Sequence, residues 1–344
     1  MTQVATLPDP LEEVAPPRGH SGGAAWGLWL LRRLGLAALT LWLVSILVYL
    51  ATAALGDPVR AILGRDYNSN VARREQLEAQ LGVGDNIVTR YFDWLGGLVT
   101  GDPGTSLANQ QPVWGQVSDS VINTLALVLL SALVMIPLAF GIAMISSHFR
   151  RKRPDTVIQT ILLALAGVPE FVTGILLVSV FSTSVFHWFP AVTLSTPDGH
   201  PWDTPKSMVL PVATLVIAVS PYVSRIVRAT LLEVLDSDYV ELARLKGIPE
   251  NVVMRKHALL NAIVPGIQVI ALQLAWLAGG VVLVETLFSY PGVGRQLVDS
   301  VRNHDVPMVQ LLSMIIAGVY VVVNLVADLL SILLTPRART AISS

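Results

Sequence analysis

Six long stretches of this chain carry almost no charge, and this decides what it can fold into. Five are uncharged throughout: Leu34 to Leu55, Ser120 to Ser147, Ser207 to Ser224, Ala258 to Val284 and Val306 to Ala327. A sixth, Thr156 to Phe186, contains a single charge, Glu170. A helix needs roughly 20 mostly apolar residues to cross about 30 Å of hydrocarbon. Within lipid the backbone must satisfy its own polar groups, which a helix does. The pattern therefore predicts an all-α polytopic membrane protein with about six transmembrane helices. Composition agrees, since 14% of the residues are charged against roughly 25% in soluble proteins. Pro137, Pro169, Pro211 and Pro265 fall inside these runs, and packed neighbours in a bundle tolerate such breaks.

Lys and Arg in short loops set the orientation. With the N-terminus inside, fifteen basic residues are cytoplasmic, among them Arg32, Arg33, Arg150 to Arg153, Arg244, Lys246 and Arg337. The two short outer loops hold three, Lys206, Arg295 and Arg302. Both termini are thus expected in the cytoplasm. Arg32 and Arg33 before an apolar run resemble a secretory signal, but the run is longer than the roughly 7–15 residues of a signal core, so an uncleaved first helix is expected. The expected organisation is a flexible cytoplasmic tail over 1–25 and a first transmembrane helix over 26–56. An extracytoplasmic segment with short interfacial helices follows over 57–119. A five-helix core over 120–336 contains a cytoplasmic loop at 225–261, and a cytoplasmic C-terminus occupies 337–344. In the outer segment Ile87, Tyr91, Trp94, Leu95 and Leu98 recur at helical spacing. Either a short helix lies on the outer membrane face, where aromatic residues are favoured, or a small cap packs on itself.

Several chemistries are excluded or unsupported. There is no cysteine, so no disulfide and no thiolate metal site. The six histidines show no metal-ligand spacing, and no metal site is expected. A formal net charge of −1 gives no reason to expect nucleic acid. No G-x-x-x-x-G-K-[ST] run is present to cradle ATP phosphates.

The loop from Arg225 to Asn261 mixes charge with an apolar helical pattern. Gly247 suits a helix stop, and Pro249 suits the first turn of the next helix. Ala243 and Gly247, four apart, are read as one face allowing close backbone approach. Such a pair of helices either docks in a partner's groove or is an ordinary amphipathic surface element.

The run Asp238-Tyr-Val-Glu-Leu-Ala-Arg-Leu-Lys-Gly247, continuing to His257-Ala-Leu-Leu-Asn-Ala-Ile-Val-Pro265, closely resembles the EAA loop of ABC importer permeases. More narrowly, it resembles the first permease type of the dipeptide, oligopeptide and nickel family. Val284-Glu-Thr-Leu-Phe-Ser-Tyr-Pro-Gly-Val-Gly-Arg295 also matches that family, as do Gly56-Asp57-Pro58, Trp94-Leu-Gly-Gly97, Gly101-Asp102, Gly104-Thr-Ser106 and Asn123-Thr-Leu125. The likeness runs from about residue 26 to 339. Pro103 stands where leucine is usual, and Thr335 where Asp precedes Pro-Arg.

The resemblance implies a type I ABC importer permease fold in the bacterial inner membrane. It implies a coupling helix that docks on an ATPase subunit through Asp238, Tyr239, Glu241, Ala243, Arg244, Lys246, Gly247 and His257. Charges at 241, 244 and 246 would pair with that partner. The implied assembly contains a second homologous permease, two ATPase subunits that hold ATP and Mg, and an extracytoplasmic substrate-binding protein. Transport would proceed by alternating access, with no cofactor and no catalytic residue in this chain. Di- or oligopeptides are the expected cargo; nickel complexes, glutathione or oligosaccharides are the alternatives.

Glu170 lies well inside a run, where a charge marks a pathway by default; alternatively it accepts hydrogen bonds from backbone freed at a break. Gly167 and Pro169 beside it predict that break. Glu285, near a span end where water is expected to reach it, is a candidate for shaping the outer mouth. A channel or secondary transporter would explain the spans but not the paired-helix loop, and no clear internal repeat supports it. An intramembrane enzyme would need a nucleophile and base at one depth, and no histidine lies mid-span.

Overall fold

The computed structural model of the chain describes residues 22–54, 67–81, 86–194, 199–259 and 281–334, with isolated positions at 59, 63, 266, 269–270 and 272–273. Most of the expected span Ala258 to Val284 lies outside the described residues, as do the tail before 22, Gly56 to Pro58 and the residues after 334. Among the described residues the chain is helical, with no strand beyond one isolated bridge between Thr105 and Pro112.

Four helices are long and apolar enough to cross a membrane: α1 (Gly22–Ala53), α4 (Val113–His148), α7 (Pro205–Leu235) and α11 (Val306–Leu334). Between them lie α2 (Val71–Leu81), α3 (Ile87–Thr100), α5 (Arg153–Ala166), α6 (Glu170–Val178), α8 (Asp238–Leu245), α9 (Glu250–Val252) and α10 (Val293–Arg302). A bent helix pair is a fifth candidate span. α5 and α6, the latter continued by a π-helical turn at Ser179–Ser184, meet at 99° across Gly167-Val168-Pro169. Proline removes a backbone donor and pushes the residue before it out of helical conformation, so the break falls where Gly167 and Pro169 predict it.

α7 is the centre of the bundle. It packs along α4, α5 and α6, and its Leu215, Val219, Val223, Val227 and Leu231 are almost wholly removed from solvent. Gly174 lets α6 approach closely, since a Cβ there would sit 2.5 Å from Leu287 Cδ2 and 3.4 Å from Thr214 Cγ2. α1 is peripheral and leans on α11, joined at one end by Arg33–Asp328 at 2.6 Å and at the other by Gln310 Nε2 donating to Thr52 Oγ1 at 2.9 Å.

The helical spacing of Ile87, Tyr91 and Trp94 does form a helix. In α3, Asn86 caps Val88 N at 3.0 Å, and Gly101 ends the helix at φ +86°. Its buried Tyr91 donates to or accepts from Ser45 Oγ of α1 at 2.8 Å, and Tyr49 stacks edge-on against the same ring at 5.4 Å. Ile87, Val88, Phe92 and Val99 face outward.

At the end of the bundle that carries the basic loops, Asp155 of α5 is buried and fully engaged. Arg228 of α7 donates to both its oxygens at 3.1 and 2.6 Å, and Ser146 of α4 donates at 2.6 Å. One carboxylate thereby ties three helices.

Candidate functional site: the segment after the central helix and the opposite rim

α7 runs out of helix at Leu235, and Asp236 and Ser237 turn the chain into α8. Val240 and Ala243 of α8 point inward and join the core with Leu231, Leu235, Val253 and Met254. The outward face holds Asp238, Glu241 and Lys246 with three exposed apolar residues: Tyr239, Leu242 and Leu245 at 43%, 53% and 79% exposure. These apolar residues recur every third position, so they form one stripe. The exposure of Leu242 and Leu245 is not legible in the sequence, because an apolar residue on a helical period is ordinarily read as facing the core.

Gly247 stops the helix as the sequence predicts, at φ +75°. Ile248 N bonds Ala243 O at 3.2 Å and Gly247 N bonds Arg244 O at 2.9 Å, the paired reversal typical of a glycine C-terminus. Ala243 and Gly247 therefore do not share an outward contact face: Ala243 packs on the chain's own core and Gly247 shapes the turn. Pro249 then precedes α9, with φ −60° and ψ 141°.

Arg244, expected to reach a partner, is engaged inside the chain. Its Nε and Nη2 donate to Glu250 at 3.1 and 2.8 Å, and Nη1 donates to Leu235 O at 3.2 Å. The Arg244 hydrogen bond holds the Glu250 carboxyl below the usual carboxylate range. A parallel pair anchors the preceding turn, with Arg150 donating to Asp236 at 2.6 and 3.0 Å and holding that carboxyl low as well. His257 falls in the π-helical turn Val253–Ala258; its side chain lies outside the described residues.

Glu170 opens α6 directly after Pro169 and is half-buried. The freed backbone does not turn to it: Val172 N and Thr173 N bond Pro169 O at 3.0 and 3.2 Å. Among the described residues the Glu170 carboxylate has no ion pair.

Glu285 differs from expectation. Water does not reach it, for it is completely buried. It accepts from Thr124 Oγ1 at 2.6 Å, Gly294 N at 2.7 Å and Arg295 N at 3.2 Å. Thr124 in turn accepts from Val293 N at 2.9 Å. Glu285 and Thr124 thus satisfy the open N–H groups that begin α10, and an anion is favoured at that end of a helix. A methyl group on Gly292 would run into the Glu285 carboxylate, and one on Gly294 would lie 2.6 Å from Val282 Cα. Asn123 Nδ2 donates to Pro291 O at 2.9 Å and Tyr290 OH to Asn123 O at 2.7 Å. Nearby, buried Asp305 accepts from Ser106 Oγ at 2.5 Å and Leu107 N at 3.0 Å. The segments 104–106, 123–125 and 284–295 therefore converge on one rim.

Two family patterns match the chain: "Binding-protein-dependent transport system inner membrane component" over residues 135–340, and the N-terminal region of such membrane components over 28–128. Among curated proteins, the glutathione transport system permease protein GsiC of Escherichia coli strain K12 is 34% identical over 309 residues, covering 90% of this chain and 97% of the relative. Its counterpart from Shigella flexneri serotype 5b is 33% identical over the same coverage. A solved amino acid ABC transporter overlaps 64% of this chain and 92% of its own, at TM-score 0.43 and 20% identity.

Proposed function

The chain belongs to the family of binding-protein-dependent transport system inner membrane components, and from that premise we propose that it forms half of the translocation pathway of an importer for di- and oligopeptides. It is an ABC importer permease, a multi-pass inner-membrane protein rather than the ATPase itself. A second homologous permease supplies the other half of the pathway. Two ATPase subunits hold ATP and Mg, and an extracytoplasmic binding protein delivers the cargo.

The observation that carries this reading is the outward face of α8. Tyr239, Leu242 and Leu245 form an apolar stripe edged by Asp238, Glu241 and Lys246 at the basic, cytoplasmic end. An exposed apolar stripe with a charged rim fits a groove on a partner protein, and the rim charges steer its docking. Gly247 and His257 belong to the turn and to the helix that close this segment. ATP-driven closure of the two ATPases moves the coupling segments, and the membrane helices open outward in response. Glu170, which has no ion pair among the described residues, lies at the break beside Pro169 and lines the pathway in this reading.

A second cargo, glutathione, is favoured by the relatives, which are glutathione transport system permeases. Glutathione is itself a small peptide, so both readings share amide and carboxylate chemistry. Right-side-out membrane vesicles containing the complex, with ATP enclosed and the binding protein outside, are incubated with labelled dipeptide, pentapeptide or glutathione. Uptake of the two peptides, competed by unlabelled peptide and not by glutathione, supports the peptide reading; the reverse competition supports glutathione. Uptake that continues without ATP overturns both.

A further inference from the structure

Resting on the importer reading above, we propose that Arg244 is a positioning residue rather than a docking contact: a strut that fixes α8 at a set angle to α7, so that a push on the coupling segment moves the central membrane helix.

The geometry is that of a three-way joint. Leu235 is the last residue of α7, and its carbonyl belongs to the final turn, which a helix leaves without an internal partner. Arg244 Nη1 supplies that partner at 3.2 Å, from the last turn of the following helix. The same guanidinium grips Glu250, the first residue of α9, with two parallel bonds of 3.1 and 2.8 Å. A planar fork held at two edges fixes direction as well as distance. One side chain therefore spans the end of α7, α8 and the start of α9.

The turns on either side need such a brace. Between α7 and α8 lie only Asp236 and Ser237, and Asp236 is held in turn by Arg150 from the loop between α4 and α5. Between α8 and α9 the chain passes Gly247 at φ +75°, a residue with wide conformational freedom. Without the strut α8 would be joined to α7 by a two-residue turn and by the small inward contacts of Val240 and Ala243. Force applied at Tyr239, Leu242 and Leu245 would then tilt α8 instead of displacing α7. The outward face itself does not include the guanidinium's bonding edge, so loss of the strut leaves the docking stripe in place.

The test uses the whole complex in proteoliposomes with its binding protein, comparing native chain with Arg244→Ala, Arg244→Lys, Glu250→Gln and the exchanged pair Arg244→Glu with Glu250→Arg. Three quantities are read: ATPase subunits co-purified per chain, ATP hydrolysed, and cargo taken up per ATP. Expected for Arg244→Ala and Glu250→Gln is native co-purification and continued hydrolysis, with cargo per ATP down about two- to fivefold, the scale of one exposed ion pair. Arg244→Lys keeps the charge without the fork and should fall between. The exchanged pair should regain part of the loss, which a mere folding defect would not. Glu250→Gln preserves shape, so its result stands even if Arg244→Ala fails to assemble. Native cargo per ATP in Glu250→Gln overturns the strut. Loss of the ATPases from Arg244→Lys overturns it too, because Arg244 would then be a docking contact. If the native chain itself purifies without ATPases, the importer reading fails and the strut, which rests on it, falls with it.

Discussion

Thr124 and Glu285, 161 residues apart, meet at 2.6 Å, and the pair caps a helix that neither belongs to. Each takes over backbone donors at the start of α10: Thr124 that of Val293, Glu285 those of Gly294 and Arg295. Replacing Glu285 with Ala strands these buried donors, at a cost of about 1–3 kcal/mol. Glu285→Ala and Thr124→Val should both lower the thermal midpoint of the purified chain, and Glu285→Ala by more. Gly292→Ala should be at least as damaging, because its methyl group overlaps the carboxylate. Unchanged midpoints in all three would refute the capping role.

The buried pair of Asp155 and Arg228 should behave as a structural lock. Removing one partner from such a pair leaves an uncompensated charge and costs about 3–5 kcal/mol. Arg228→Leu should therefore depress folded yield and melting temperature strongly, and Arg228→Lys less. Arg228→Leu combined with Asp155→Leu should recover much of the loss. A melting curve for each variant in detergent decides it.

Acidification should release the Arg244–Glu250 pair. Hydrogen bonding to Arg244 lowers the folded value of Glu250 below its ordinary 4.5. The unfolded chain then binds the proton more readily, so the pair's stabilisation is complete above that ordinary value and fades as pH falls through the lower folded one. The pair is well exposed to solvent and is worth about 0.2–1 kcal/mol. The melting difference between native chain and Glu250→Gln should be small and constant near neutral pH and close towards zero in acid. A difference that widens in acid would contradict the sign.

Glu170→Gln tests the pathway. With the complex assembled and hydrolysing ATP, uptake should fall, since the side chain at the break has no ion pair to lose among the described residues. Normal uptake would remove Glu170 from the pathway.

What could be read in the sequence was local. Gly167 and Pro169 announce a break, Gly247 announces a stop, and Tyr91 and Trp94 on a helical period announce α3; each follows from the conformational limits of one residue or one turn. The burial of Glu285 is not legible in the sequence because its partners arrive from Thr124 and from residues nine and ten positions on, a geometry with no period in the chain. The spacing of Ala243 and Gly247 would give one face only in a helix that ran on to Gly247, whereas the helix ends between them and Gly247 is itself the stop. Arg244 was assigned outward because charge alone does not reveal a carboxylate six residues away across a turn. Leu242 and Leu245 look like core residues until Val240 and Ala243 are seen to take the inward side.

The most direct test of the account is a pull-down of the tagged chain from detergent-solubilised membranes, comparing native protein with Leu242→Asp. The account predicts that ATPase subunits and a second permease accompany the native chain with ATP-hydrolysing activity. Leu242→Asp should keep the second permease and its melting temperature and lose the ATPases. A native chain that purifies alone and carries cargo in liposomes without ATP would contradict the account, as would a Leu242→Asp chain that retains its ATPases in native amount.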